Sequence, residues 1–397
     1  MAVIDRAAAL AAVKGESQVV SPSVSIVVPV HNGARCIERC LESVEAQTFK
    51  NFEVICIDDG STDETLEVLD LLQARWNNVQ VIAKSCGGVS SARNSGMDAA
   101  RGKYLLFVDA DDTVEPNLLE EVLAVAEATN AQMTIFGFSE YYGADNVKVP
   151  REMCSQKNLI GRAFILSEVV DTSTTLVTPN VWRILFERSF LTGATLCFHE
   201  DLQTSEDLAF IYEALLCAPR IALENKRLYK YHRDDAATLT RNERGVAGLR
   251  ALDHIRCFGE DRGGFDDVAM RHFVNLILDT LRYALSTAYS AEEFQALYDG
   301  YRQDWVPLVS LHEDVIAPRY RAFYDAMSDD SMSYLFGLYS QERLQLERTK
   351  AQLASVRDEL GRARETADEL RRENKRLGQK PLNRVVRRLR RLAGRNR

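Results

Sequence analysis

Four short apolar runs, each followed by a polar cluster and then by a helical pattern, limit this chain to few folds. The runs are rich in β-branched residues and lie at 23–30, 52–57, 79–83 and 104–108. After the first run, apolar residues recur at helical spacing from Ile37 to Val44. Because the runs are apolar along their whole length, they predict a parallel sheet covered by helices on both faces. The predicted fold class is α/β, with a Rossmann-like, mostly parallel sheet.

A polar cluster ends each predicted strand. The clusters lie at 31–32, 58–59, 87–94 and 109–112. In open parallel sheets, ligands bind outside the carboxyl ends of the strands. We therefore expect the four clusters to converge on one crevice. The helix after the second strand matches a capping box formed by Ser61 and Glu64.

Size and composition exclude several classes of protein. The 397 residues, 46% hydrophobic and 27% charged, suit a large α/β core with an appendage, or two to three domains. No apolar run approaches the ~20 residues that cross a bilayer. The eight cysteines form no CxxC pair, so neither a zinc ribbon nor a disulfide framework is indicated. Reduced thiols are typical of the cytosol, so we expect a cytoplasmic protein.

Residues 341–378 carry a heptad pattern. With Leu346 at position a, the a and d positions are mostly apolar over five heptads, and four e positions are basic. This pattern predicts a coiled coil, and Asn374 at an a position favours a parallel, two-stranded homodimer. A single solvated charged helix is the alternative.

The charge of the chain is unevenly distributed. The net charge is −9, and the last eighteen residues carry eight basic and no acidic side chains, which leaves −17 for residues 1–379. This split favours a specialised tail over nucleic-acid binding by the main body. We expect residues 379–397 to form a basic amphipathic tail that binds the anionic inner face of the cell membrane. A disordered solubilising tail and a nucleic-acid-binding arm are the alternatives.

Two carboxylates, Asp109 and Asp111, follow the fourth apolar run in a short acidic turn. Hard oxygen ligands of this kind suit Mg²⁺ or Mn²⁺ bridging a diphosphate. The triplet alone is a weak signal, because acidic turns are common. The assignment of the triplet as a metal site therefore depends on the motifs around it.

Four motifs occur in order within ninety residues. They are Val-Ser-Ile-Val-Val-Pro-Val-His-Asn at 24–32, Ile-Asp-Asp-Gly-Ser-Thr-Asp at 57–63, Gly-Gly-Val-Ser-Ser-Ala-Arg-Asn-Ser-Gly at 87–96, and Phe-Val-Asp-Ala-Asp-Asp at 107–112. Together they resemble the family 2 glycosyltransferases of the GT-A fold, of the kind that builds bacterial surface polysaccharides. The resemblance continues more loosely to Tyr229-Lys230-Tyr231 and covers roughly residues 23–240.

The resemblance implies a set of residues that hold the nucleotide-sugar: Pro29, His31, Asn32, Asp58, Asp59, Arg93, Asp109 and Arg233. Pro29 and the 31–32 turn would shape the base pocket, where the family usually has Tyr in place of His31. Asp58 or Asp59 would accept a hydrogen bond from the base.

The same resemblance implies roles around the diphosphate. Arg93 would lie near the base or the phosphates. Asp109 would contact ribose or the metal, and Asp111 would ligate the metal, Mn²⁺ or Mg²⁺. Arg233, ahead of His232, would close over the diphosphate.

Displacement at an anomeric carbon needs a general base for the attacking hydroxyl. Asp207, in the family's Glu-Asp motif, is the predicted base, and a single displacement predicts inversion. Glu206 is the weaker choice, on the expectation that adjacent residues point in different directions at a helix start. An acidic helix cap is the alternative role for this pair.

The leading interpretation is an inverting, metal-dependent glycosyltransferase. It would move a sugar from a UDP-sugar or other NDP-sugar to a glycan or lipid-linked glycan acceptor in cell-surface polysaccharide synthesis. A nucleotidyltransferase is one alternative, disfavoured because residues 24–36 hold Arg35 as their one cation. A non-enzymatic sugar-nucleotide-binding scaffold that acts through its coiled coil is another.

The predicted organisation has five parts. They are an N-terminal helix or extension at 1–22, a GT-A domain at 23–244, a helical domain at 245–340, the coiled coil at 341–378 and the basic tail at 379–397.

Overall fold

The computed structural model describes residues 21–142, 147–150, 156–169, 179–233, 244–288 and 290–328. The predicted coiled coil and basic tail lie outside the described residues, as do residues 1–20 of the predicted N-terminal extension. The interpretations of those three segments therefore stay predictions.

Within the described residues, ten strands form one mixed sheet. They are β1 (Val24–Val30), β2 (Phe52–Asp59), β3 (Val79–Lys84), β4 (Tyr104–Phe107), β5 (Thr113–Val114), β6 (Met133–Tyr142), β7 (Val147–Pro150), β8 (Ala163–Phe164), β9 (Ile184–Glu187) and β10 (Ile221–Arg233). The strand order is β3-β2-β1-β4-β9-β6-β10-β5, with β7 paired to β6 and β8 paired to β10.

The first half of the sheet is parallel. Strand β1 lies between β2 and β4 and runs parallel to both, and β3 continues the parallel set. Every residue of β1 and β2 is buried, as expected for strands covered on both faces. Strand β9 then inserts antiparallel between β4 and β6. The predicted α/β fold is confirmed, and the antiparallel strands lie in the second half of the sheet.

Eleven α-helices occur in the described part of the chain. They are α1 (Ile37–Glu45), α2 (Thr65–Arg75), α3 (Gly88–Ala99), α4 (Leu118–Thr129), α5 (Arg188–Gly193), α6 (Glu206–Cys217), α7 (Arg244–Asp261), α8 (Asp267–Thr287), α9 (Ala291–Asp304), α10 (Val306–Ser310) and α11 (Pro318–Ser328). Short 3₁₀ helices span Lys157–Leu159, Leu166–Glu168, Val181–Arg183 and Glu313–Val315.

The side chains of β1 alternate between two hydrophobic cores. Val24 and Ile26 pack in the core that includes residues of α1, α2 and α4. Val27 packs in the second core, with residues of α3, α5 and α6. Helix α3 approaches the sheet closely, because a Cβ on Gly96 would lie 2.3 Å from Val27 Cγ1. This close packing holds α3 against β1.

The entry to α2 differs from its prediction. The helix begins at Thr65, and Glu64 at its N-cap makes no side-chain cap. Asp63 Oδ1 instead accepts the Thr65 N–H at 3.1 Å. Ser61 Oγ accepts the N–H of Asn32 at 2.9 Å, so its hydroxyl is used by the turn after β1. The predicted Ser61/Glu64 capping box is wrong, because the N-cap of α2 is Glu64 and not Ser61.

Helices α7 to α11 form a helical region at residues 244–328. Helix α7 packs on α6 and α8, and α8 also contacts α9 and α11. Phe273, Ile277 and Leu281, which recur at helical spacing in the sequence, are buried in α8. Among the helices of the described residues, none has both the length and the apolarity needed to cross a membrane.

Candidate active site

The acidic turn at 109–112 extends from the end of β4. The Val108 N–H donates to the Val27 carbonyl at 3.0 Å, which prolongs the parallel pairing beyond β4. The Tyr229 hydroxyl, from β10, accepts the Asp109 N–H at 3.1 Å and donates to Asp112 Oδ2 at 2.8 Å. Strand β10 therefore holds the acidic turn in place from the second half of the sheet.

Asp112 is a site residue that the sequence argument did not single out. Its side chain is fully buried, and its Oδ1 accepts the His232 N–H at 2.7 Å. Burial and the neighbouring charges of Asp111 and Asp109 raise the pKa of Asp112 well above its usual value. The sequence gives no signal for the contacts of Asp112, because its hydrogen-bond partners lie about 120 residues away on β10.

Arg93 joins three carboxylates from two distant motifs. Its NH1 donates to Glu206 Oε1 and to Asp207 Oδ1, both at 2.8 Å. Its NH2 donates to Asp109 Oδ1 at 3.1 Å. The guanidinium is buried, and its ring neighbour Phe198 lies 5.3 Å away. One cation from α3 thus brings the acidic turn and the start of α6 into a single cluster.

Glu206 and Asp207 point to the same place. The expectation that adjacent residues diverge at a helix start is wrong here, because both reach the same nitrogen of Arg93. Ser205, just before them, has a left-handed backbone (φ 66°) that precedes the first turn of α6. Asp207 is held further by the Val181 N–H, which donates to its Oδ2 at 3.0 Å.

The pKa of Asp207 suits proton transfer near neutral pH. Burial raises this pKa to about 7. The Arg93 guanidinium lowers the pKa, but the negative charges of Glu206 and Asp109 oppose that effect. A general base is most effective when its pKa lies near the working pH.

The turn after β1 is fixed against the loop after β2. Asn32 has a left-handed backbone (φ 53°), and its Oδ1 accepts the Thr62 N–H at 2.8 Å. The His31 Nδ1 lies 2.9 Å from the Asp59 carbonyl oxygen. Pro29 is buried in β1 opposite Ile57 of β2. These residues lie at the ends of two neighbouring strands, and their role in a base pocket stays a prediction.

Asp58 and Asp59 have different surroundings. The Asp59 carboxylate accepts hydrogen bonds from Lys84 Nζ and the N–H groups of Gly87 and Gly88 at 2.8–2.9 Å. Burial would raise the pKa of Asp59, but these donors outweigh it and lower the pKa. Asp58 Oδ1 is buried, and no described residue donates a hydrogen bond to it. Asp59 therefore supports the start of α3, whereas Asp58 has an unused acceptor.

A cavity of about 680 Å³ opens beside the Arg93 cluster. The sheet side contributes Trp182 and Tyr231, and Trp182 is stacked on Tyr229 with the ring centroids 4.2 Å apart. Helix α8 contributes Asp279 and Tyr283, and the Tyr283 side chain is half-exposed. The helical region thus forms a wall of the same cavity.

Arg233 and His232 separate at the end of β10. Arg233 lines the cavity, and its NH2 lies 3.2 Å from Glu140 Oε1. The His232 Nε2 lies 2.8 Å from the Thr113 hydroxyl. Of the two, Arg233 lines the cavity, and its contact with the diphosphate stays a prediction.

The acidic turn fits a hard divalent cation. Its side-chain donors are carboxylate oxygens, which suit Mg²⁺ or Mn²⁺. Asp111 is exposed, and the Asp109 side chain is 28% exposed, so both carboxylates face solvent. Asp112, next to them, is buried, and burial followed by the charges of Asp111 and Asp109 raises its pKa.

Comparison with known proteins identifies glycosyltransferases as relatives of this chain. The family model described as glycosyl transferase family 2 matches residues 25–182. The chain is similar to the uncharacterized glycosyltransferase EpsJ of Bacillus subtilis (strain 168), with 32% identity over 55% of this chain and 63% of EpsJ. It is also similar to the succinoglycan biosynthesis protein ExoO of Rhizobium meliloti (strain 1021), with 32% identity over 59% of this chain and 65% of ExoO. The chain therefore spans less than two-thirds of the length of each.

A solved structure shares the fold. It is S. aureus TarS 1–349 in complex with UDP-GlcNAc, with a TM-score of 0.64, 20% identity and coverage of 81% of this chain and 92% of that chain. At this identity the likeness shows the fold. Residues 25–182 form a family 2 glycosyltransferase domain, within an α/β fold of the GT-A type.

Proposed function

We propose that this chain is an inverting glycosyltransferase. It moves a sugar from an NDP-sugar, a UDP-sugar in the first instance, to a glycan or lipid-linked glycan in cell-surface polysaccharide synthesis. The observation that carries the proposal is the cluster in which Arg93 holds Asp109 and Asp207 at the edge of one cavity. The names of ExoO and of the TarS complex with UDP-GlcNAc support polysaccharide synthesis and a UDP-sugar donor.

The donor nucleotide occupies the ends of β1 and β2. Asp58 Oδ1 accepts a hydrogen bond from the base, since it is buried and has no donor among the described residues. Pro29 and the turn of His31 and Asn32 form the adjoining wall. Asp59 does not contact the nucleotide directly, because its carboxylate accepts hydrogen bonds from Lys84 and the start of α3.

Asp109 and Asp111 hold Mg²⁺ or Mn²⁺. When bound, such an ion neutralises charge on the leaving nucleoside diphosphate. The chain's own contribution is to fix the turn, through Tyr229 and Asp112 on one side and Arg93 on the other. Arg233, at the cavity rim, supplies a further positive charge for the diphosphate.

Asp207 deprotonates the acceptor hydroxyl, which attacks the anomeric carbon from the face opposite the leaving group and inverts it. The carboxylate lines the cavity and its raised pKa favours proton uptake. Arg93 and the Val181 N–H hold one oxygen each of Asp207 and so orient it.

The acceptor lies between the sheet and the helical region. Tyr231 and the half-exposed Tyr283 line the cavity and offer aromatic surface, Trp182 supports Tyr231 from behind by stacking, and Asp279 offers a carboxylate. An acceptor sugar placed there contacts Asp207, which lines the same cavity. This assigns a role to the helical region in acceptor binding.

A coupled assay for released nucleoside diphosphate tests the proposal. A panel of NDP-sugars is first screened by thermal shift to identify the donor, and release is then measured with Mn²⁺ or Mg²⁺. Wild-type protein is expected to turn over. Asp111→Ala is expected to lose at least about 100-fold in rate, and Asp70→Ala, which removes an exposed carboxylate from α2, is the matched control.

Other outcomes would contradict the proposal. Full activity in excess chelator would rule out the metal assignment. Pyrophosphate release from a nucleoside triphosphate would indicate a nucleotidyltransferase. Donor binding without any turnover would indicate a scaffold.

A further inference from the structure

A second group of metal-ligating side chains lies apart from the acidic turn. His199 and Asp201 lie in the segment between α5 and α6, and His254 lies on α7. One ligand atom from each of the three lies within 4.8 Å of the others. The cluster therefore connects the helical region to the segment that leads into α6.

The spacing of two of these ligands is close to that of a metal site. The His254 Nε2 lies 2.9 Å from Asp201 Oδ2. Two ligands of a tetrahedral zinc ion, at bond lengths near 2.1 Å, lie about 3.4 Å apart. A shift of about half an ångström converts this contact into a pair of ligands for one ion.

The third ligand has a supporting carboxylate. The His199 Nε2 lies 2.7 Å from Glu213 Oε1, and the Glu213 side chain is almost fully buried on α6. A carboxylate bonded to one nitrogen of an imidazole fixes the ring and strengthens the other nitrogen as a metal donor. Glu213 is placed to give His199 that support.

The side chains are accessible and able to adjust. Asp201 is 65% exposed and His254 is 28% exposed, so an ion can enter from solvent. The His199 and His254 rings are stacked with centroids 3.9 Å apart, and an ion held by both requires one ring to turn. Because His254 and Asp201 lie at the surface, that turn leaves the hydrophobic core unchanged.

We propose that His199, Asp201 and His254 form a zinc site that fastens α7 to the segment before α6. Two imidazole nitrogens and one carboxylate suit Zn²⁺, whereas the all-oxygen turn at 109–112 suits Mg²⁺ or Mn²⁺. The segment from Asp201 to Ser205 leads directly into Asp207. Zinc bound at this position, outside the cavity, makes the segment that precedes Asp207 more rigid.

Isothermal titration calorimetry of the full-length protein with Zn²⁺ tests the site. Titration is done in millimolar Mg²⁺, which occupies oxygen-only sites, and after alkylation of accessible thiols, because Cys197 and Cys257 are exposed nearby in sequence. One equivalent of Zn²⁺ per chain is expected. His254→Gln is expected to weaken the affinity at least ten-fold, and His312→Gln, a histidine outside the cluster, is expected to leave it unchanged.

Two further readouts make the outcome decisive. Asp111→Asn should retain the Zn²⁺ affinity, and circular dichroism in EDTA should show that every variant is folded. Hydrogen exchange at residues 199–208 should slow with Zn²⁺ in the wild type and not in His254→Gln. The absence of saturable Zn²⁺ binding, an affinity equal in His254→Gln, or exchange unaffected by Zn²⁺ would overturn the proposal.

Discussion

Arg93 carries the organisation of the site at the level of single residues. It is buried, and Asp109, Glu206 and Asp207 all accept hydrogen bonds from it. A buried cation costs several kcal/mol of desolvation unless it is paired. Burial raises the pKa of Asp207. The three carboxylates around one guanidinium also leave an excess of negative charge, which raises this pKa further. The arrangement thus both stabilises Arg93 and prepares Asp207 to accept a proton.

Asp207→Asn is expected to keep donor affinity near the wild-type value and to lower the transfer rate by about 100- to 10,000-fold, because a general base acts in the transition state. Steady-state kinetics and donor titration measure the two effects separately. Glu206→Gln is the matched control, since it removes the neighbouring carboxylate from the same nitrogen of Arg93. Weakened donor binding at an unchanged rate would show that Asp207 is a binding residue, and a larger rate loss in Glu206→Gln would make Glu206 the base.

Asp58 and Asp59 offer a paired test of the base pocket. Asp58→Asn is expected to weaken UDP binding about ten-fold at an unchanged melting temperature, because it removes the charge of a carboxylate whose Oδ1 has no hydrogen-bond donor among the described residues. Asp59→Asn is expected to lower the free energy of unfolding by about 2 kcal/mol, because it removes the negative charge and replaces one of the two oxygens that accept from Lys84, Gly87 and Gly88 with a donor. Calorimetry and thermal unfolding measure the two quantities. The reverse pattern would exchange the two roles.

At the level of elements, a buried carboxylate ties the first strands together. Glu53, on β2, accepts hydrogen bonds from the Ser25 hydroxyl of β1 at 2.6 Å and from the Arg101 N–H at 2.8 Å. The Arg101 guanidinium, just before β4, donates to its second oxygen. Three neighbouring strands are thus joined at the edge of the sheet opposite the site.

Glu53→Gln is expected to lower the free energy of unfolding by about 2 kcal/mol at neutral pH. Burial would raise the pKa of Glu53, but the hydrogen bonds from Ser25 and Arg101 outweigh it and lower the pKa. A lowered pKa stabilises the fold above the ordinary value of 4.5, and this contribution is lost as pH falls through the folded-state pKa. Denaturant unfolding from pH 7 to pH 3 should show the difference between wild type and variant shrinking. A constant difference would contradict the ionic role.

At the scale of the whole molecule, the helical region completes the cavity. Thr280 and Tyr283 of α8 face the same space as Asp109 and Asp207. The family match ends at residue 182, so this wall lies outside the matched segment. Acceptor selectivity is therefore expected to depend on a part of the chain that the family motifs do not describe.

The heptads at 341–378 predict a parallel homodimer. Light scattering should give twice the chain mass for the full-length protein and the chain mass after removal of residues 341–397. An equal oligomeric state for the two proteins would refute the coiled-coil dimer.

The basic tail is expected to bind anionic membranes and to hold the enzyme at the inner face of the cell membrane. Each basic residue near an anionic leaflet contributes about 1 kcal/mol, and the tail carries eight. Co-sedimentation with vesicles should rise with the anionic lipid fraction, fall with salt, and disappear after removal of residues 380–397. A full-length protein that ignores anionic vesicles at low salt would contradict this.

The sequence by itself determined the first four strands, the helices that follow them and the edge of the sheet at which they meet. Apolar runs closed by turns are local signals, so the strands, the helices that follow them and the positions of Asp58 and Asp109 at strand ends could be predicted. The family resemblance added the expected roles. The predicted Ser61/Glu64 cap was wrong because α2 begins later, with Glu64 at its N-cap, and Ser61 Oγ accepts a hydrogen bond from the distant Asn32 N–H.

Only the tertiary structure decided which side chains meet. Arg93 and Asp207 are 114 residues apart in sequence, and Asp112 and Tyr229 are 117 apart. Asp58 and Asp59 are neighbours with the same local signal, and their difference arises from Lys84 and the start of α3. Such pairings depend on how strands and helices pack, and burial then sets the strength of each charge interaction. Local sequence patterns do not indicate which side chains pair or how deeply a pair is buried, because pairing and burial arise between segments that are distant in the chain.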